Sequence, residues 1–193
     1  MPPSFDDTAA QRPRLLLCGP ARDGGAAGAL LADLEARDWS PPGALLSILS
    51  LSGPVARAAE TAAEAVLVER ASGVLILDTA PKSAEWRVEM RAVNRGGPKG
   101  GRISPLGPAS VRTGAPVVEL VRAIQQSGAP ASASSDPGEG MGAWLFYRLL
   151  SEAGDAGPTV VLLHAPAVAA DAAPVEDVAT ALSARLVRGL SPA

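Results

Sequence analysis

The chain has 193 residues, a formal charge of −3, 3% aromatic residues, one cysteine and one histidine. Such a length predicts one domain able to bury about two thirds of its unfolded surface. The mild acidity and few aromatics argue against nucleic acid and anionic membrane as partners, and one Cys with one His excludes an intrachain disulfide or a Cys/His zinc cluster.

Residues 1–13 are polar and read as a flexible tail ahead of a single domain over 14–190. No apolar segment of signal-peptide type opens the chain. The longest apolar run, Val160 to Ala170, holds His164 and Pro166 and is too short to span a bilayer. A soluble, cytoplasmic protein is expected.

Arg14 to Cys18 predicts a first strand, ended by Gly19-Pro20. Gly19 to Gly25 then reads as a flexible strand-to-helix turn. It matches neither G-x-G-x-x-G nor a Walker sequence, so phosphate binding there has little support. Leu45 to Leu51 is a second strand. Val55, Ala59, Ala62 and Val66 follow at helical spacing, with Arg57, Glu60 and Glu64 off that stripe. Gly73 to Leu77 is a third strand. In Trp86 to Asn94, alternation sets Val88, Met90 and Ala92 opposite Glu89 and Arg91.

Residues 95–108 are rich in glycine and proline, without period, and predict a long mobile loop. Val117, Leu120, Val121 and Ile124 repeat the helical stripe, stopped at Gly128. Ala131 to Ser134 is a short strand, and Met141, Leu145 and Leu149 form another helix. Thr159 to Leu163 is the last strand. Val175, Val178, Leu182 and Leu186 mark the final helix, with Pro174 at its first turn. Apolar strands alternating with amphipathic helices predict an α/β protein around a mostly parallel, doubly covered sheet.

His164 closes its strand, and ligand sites in open α/β sheets lie beyond the carboxyl ends of strands. It reads either as a general base or as a hydrogen-bonded histidine at a strand end. Glu89 alone reads as a solvated carboxylate paired with Arg87 or Arg91. Cys18, behind three leucines, reads as a small buried filler rather than a reactive thiol.

Taken together, these segments resemble the type I pyroglutamyl peptidases, from about Arg14 to Val187. Val74 to Asn94 is similar to the family's stretch around its catalytic glutamate, with Glu89 in that place. Leu162-Leu163-His164-Ala165-Pro166 resembles the strand that ends in the catalytic histidine. Ser134 to Ala143 resembles the nucleophile segment, with Gly138 matching a family glycine and Gly142 standing where the cysteine belongs. The turn at Gly19 to Gly25 keeps its glycines, but Pro20 and Asp23 stand where the family has two aromatics that pack on the pyrrolidone ring.

The resemblance implies a three-layer α/β/α sandwich with one cleft holding Glu89, His164, Gly142, Pro20 and Asp23. No cofactor and no metal are implied. Without a thiol at position 142, attack on the scissile carbonyl is lost, and such a loss can cost about 10⁶ in rate. The expected function is therefore non-catalytic binding or regulation through the cleft, with a small molecule or peptide as ligand. The alternative is a hydrolase of changed nucleophile or substrate that uses Glu89 and His164, with Ser134 or Ser135 as nucleophile or with activated water. A third reading is a structural subunit beside a catalytic homologue, and the resemblance also allows a homo-oligomer.

Overall fold

A computed structural model of the protein describes residues 12–21, 25–96, 100–154 and 157–190. The chain runs β1 (Arg14–Pro20), α1 (Gly25–Ala36), β2 (Leu45–Leu51), α2 (Val55–Val68), β3 (Gly73–Ala80) and β4 (Trp86–Glu89). It continues through β5 (Arg91–Val93), β6 (Ser110–Arg112), α3 (Val117–Gln126), β7 (Ala131–Ser134), α4 (Met141–Ala153), β8 (Thr159–Pro166) and α5 (Ala173–Leu190). Six strands form one sheet in the order β2-β1-β3-β8-β4-β7. Every ladder of this sheet is parallel except β4 with β8.

Strand alternation divides the core between the two faces. Leu15, Leu17, Leu75, Leu77, Val161 and Leu163 point to one face and pack against α1, α3 and α5. Leu16, Cys18, Val74, Ile76, Val160 and Leu162 point to the other and pack against α2 and α4. Each fully buried leucine or valine contributes about 1.5–3 kcal/mol of transfer free energy. Because both faces of β1, β3 and β8 are covered, these strands need continuous apolar runs, as their sequences have. The architecture is the expected three-layer α/β/α sandwich.

Local signals set several element ends. Gly128 follows α3 at φ +90°, the left-handed position that closes a helix and that glycine adopts without a Cβ penalty. Helix α1 was not anticipated beyond its leading turn. Its buried Ala27, Leu30, Leu31 and Leu34 nevertheless carry the spacing of an amphipathic helix.

One expectation needs correction. The alternation expected through Trp86 to Asn94 breaks at Met90, where β4 ends and the separate two-stranded β5–β6 sheet begins. Val88 and Ala92 therefore fall in different core clusters, on opposite sides of the sheet. Of the described residues 100–108 most are exposed, Leu106 fully so, and the stretch is held at a few points. Ile103 is buried among the residues around α4. Asn94 Nδ2 donates to the carbonyls of Ser104 and Gly107, and Asn94 Oδ1 accepts from the Ser104 N–H. Tyr147 donates to the Pro108 carbonyl. Buried Asn94 thus supplies this stretch with hydrogen bonds that a backbone ladder supplies elsewhere. Among the described residues no helix is long and apolar enough to cross a membrane.

Candidate functional site

The sheet brings its polar side chains together on the α2/α4 face. Asp78 follows Val74 and Ile76 in parity along β3, and His164 follows Val160 and Leu162 along β8, so both continue the apolar rows of that face. Asp78 and His164 are register partners on neighbouring strands. Arg87 of β4 lies opposite His164. On the far side of β4, Ser132 pairs with Arg87 and Ser134 with Glu89. One transverse row therefore reads Asp78, His164, Arg87, Ser132, with Glu89 and Ser134 beside it.

Glu89 is wholly buried. The solvated carboxylate expected from its local sequence is ruled out, because β4 is an interior strand and Glu89 points beneath the segment leading to α4. Its Oε1 accepts from Arg87 Nη2 at 3.0 Å and lies 3.1 Å from His164 Nδ1. A carboxylate only accepts, so Nδ1 carries the proton and Nε2 is left as the basic nitrogen. Oε2 of Glu89 is buried without a hydrogen-bond partner. A buried carboxylate with one oxygen orphaned is costly, and its arrangement serves the imidazole rather than its own solvation.

Arg87 ties the row to the following loop. Its Nη2 also donates to Ser134 Oγ at 2.7 Å and to the Asp136 carbonyl. Ser134 Oγ in turn accepts the Asp136 N–H at 3.1 Å. Arg95 pairs with Asp136 and Glu139 further out. These contacts hold residues 134–140 over the sheet and lead the chain into α4.

Helix α4 begins at Met141, and Gly142 lies in its first turn as the resemblance expects. What faces Gly142 was not foreseen. Its N–H donates to Asp78 Oδ2 at 2.7 Å, and Thr79 N–H donates to Asp78 Oδ1 at 2.8 Å. A Cβ built on Gly142 would lie 2.6 Å from both Cβ and Oδ2 of Asp78. The carboxylate thus occupies the volume a side chain at 142 would take, and it caps a helix whose Gly140 offers no side-chain acceptor. Its parity on β3 places Asp78 on this face. Its contact with Gly142, 64 residues away in sequence, could be read from no local pattern.

A cleft of about 810 Å³ opens over this row, lined among others by Asp78, Lys82, Glu85, Arg87, Ser134 and His164. Glu85 accepts from Ser132 at 2.6 Å along one wall. Pro20 ends β1 and is not among the described residues that line the cleft. Beside it, Ala27 N–H donates to Thr79 Oγ1, fastening the start of α1 to the end of β3. Asp23 lies outside the described residues. Cys18 is fully buried on β1, and burial pushes its thiol up to about 12, so it remains protonated and inert. The filler reading of Cys18 matches this placement. Among the described residues, no three His, Cys, Asp or Glu side chains converge as metal ligands.

No protein-family model matches the sequence, and no curated protein matches it by sequence. Solved structures do match in shape. Pyroglutamyl peptidase I of Bacillus amyloliquefaciens is 20% identical with a TM-score of 0.76, over 89% of this chain and 97% of that one. The pyrrolidone carboxyl peptidase of Thermococcus litoralis is 17% identical with a TM-score of 0.72, over 92% and 94%. That of Fervidobacterium islandicum AW-1 is 18% identical with a TM-score of 0.71, over 91% and 96%. Over about nine tenths of its length, this chain has the fold of the pyroglutamyl peptidases.

Proposed function

We propose that this protein has lost the release of N-terminal pyroglutamate and uses its cleft to bind a small molecule or peptide. The observation that carries this reading is the Asp78 carboxylate at Gly142. No thiol stands there, and none fits while Asp78 keeps its place. Fold alone transfers no activity, and the residues at the attack position argue against it. The test is hydrolysis of a chromogenic pyroglutamyl amide by the purified chain. No release above background is expected, and robust turnover abolished by iodoacetamide would overturn the reading. A thermal-shift screen with lactams, amino acids and short peptides then looks for the ligand. A true ligand at a hundred times its Kd stabilises the fold by about 2.7 kcal/mol.

One observation favours a second reading, a hydrolase of changed chemistry. His164 is held by a fully buried Glu89 in the tautomer that leaves Nε2 basic. A histidine kept only for packing needs no such carboxylate, whose burial costs stability.

A further inference from the structure

Capping α4 accounts for one oxygen of Asp78 but not for the company it keeps. Its carboxylate sits at the end of a central strand, gripped by two backbone N–H groups, one from the first turn of a helix. The next strand presents in register an imidazole whose Nδ1 is fixed by buried Glu89. Both groups open into the same cleft. Each carboxylate oxygen accepts one N–H in the structure and retains a second lone pair.

Resting on the second reading above, we propose that Asp78 is the nucleophile of this cleft. Its substrates have a saturated reacting carbon whose leaving group departs as an anion, as in a primary alkyl halide. The chemistry of a carboxylate suits that class. Attack on an acyl carbon gives an anhydride that readily reverts, whereas attack on a saturated carbon gives an ester that persists until water cleaves it.

In the first step a lone pair of Asp78 Oδ1 bonds to carbon as the carbon–halogen bond breaks, and the halide leaves with that bonding pair. In the second, His164 Nε2 takes a proton from water while the water oxygen adds to Asp78 Cγ. The carbonyl pair moves onto Oδ2, which faces the Gly142 N–H, a donor already aimed at the developing oxyanion. Collapse breaks the bond from Cγ to the alkyl oxygen. The alcohol leaves with the proton from His164, and the Asp78 carboxyl gives its own to solvent. In sum, alkyl halide and water become alcohol, halide and a proton. Glu89 orients His164 and steadies the imidazolium, as a positioning residue.

The experiment uses the full chain with 2-bromoethanol. In water labelled with oxygen-18 and with enzyme in excess, one turnover should yield unlabelled alcohol, because its oxygen comes from Asp78. Label should appear in the tryptic peptide that holds Asp78. His164→Gln should release about one equivalent of bromide and retain a hydroxyethyl ester at Asp78 by mass spectrometry. Asp78→Asn should release bromide at least about tenfold more slowly than the wild type. Labelled alcohol, with turnover still dependent on His164, would overturn the Asp78 proposal and leave the changed-hydrolase reading standing. No bromide release, with no adduct at Asp78 in a folded His164→Gln protein, would overturn the Asp78 proposal. The wild-type labelling requires no variant to fold.

Discussion

Gly142→Ala measures how firmly Asp78 excludes a side chain from the position at issue. In an open helix, glycine to alanine stabilises by about 1 kcal/mol. Here the new methyl would stand 2.6 Å from Asp78 Cβ as well as from Oδ2. Rotating the carboxylate away relieves only the second contact, because Cβ is fixed by the backbone of β3. Overpacking of this kind costs about 1–3 kcal/mol, and a weakened hydrogen bond to the charged cap adds roughly 1–2. The net expectation for Gly142→Ala is a destabilisation of about 2 kcal/mol after the propensity gain. The same substitution should remain destabilising in an Asp78→Ala background, which keeps the Cβ. In an Asp78→Gly background it should become stabilising by about 0.5–1 kcal/mol, since only the propensity difference survives. Urea denaturation of the six proteins, with m-values compared, gives the coupling directly. Equal effects of Gly142→Ala in all three backgrounds would refute the claim that Asp78 fills this volume. By the same geometry, Gly142→Cys alone should neither fold well nor yield pyroglutamyl peptidase activity.

Asn94→Ala removes three hydrogen bonds that hold 100–108 and leaves the Ser104 N–H without its acceptor, so stability should fall by about 1–3 kcal/mol. Amide hydrogen exchange should rise in that segment before it rises in β3 or β8; unchanged protection there would count against the anchor. Cys18 should not react with a thiol reagent in the native protein and should react fully once urea unfolds it. Its thiol, raised from near 9 to about 12, keeps its proton in the folded state where the unfolded chain loses it. The unfolded chain then holds fewer protons, so this contribution is complete below pH 9 and is lost as pH rises toward 12, at about 1.4 kcal/mol per pH unit. Cys18→Ala should flatten that part of the stability profile. Glu89→Gln keeps the shape but not the charge, frees the Nδ1 tautomer, and should weaken any His164-dependent turnover with little change in substrate KM; loss confined to KM would contradict a positioning role.

The layering of the fold was written in the sequence, because burial on both faces demands unbroken apolar strands and each helix must turn one stripe inward. β1, β2, β3, β8 and four of the five described helices show these periods openly. His164 was legible too, from its place at a strand's end, whereas Glu89 was singled out only by the family resemblance of the segment around it. Their contact across β4 and β8 was not legible, since an antiparallel neighbour inserted beside parallel strands leaves no mark on either segment's period. The burial of Glu89, the break at Met90 and the burial of Ile103 depend on what packs over them from distant parts of the chain. Asp78 is the sharpest case. Parity along β3 places its side chain on the α2/α4 face, but only the folded chain brings the first turn of α4 within 2.7 Å of it. Sequence therefore determined that position 142 carries no thiol. Tertiary structure decided what stands in its place, because a glycine records only that its neighbour needs the room, not which neighbour it is.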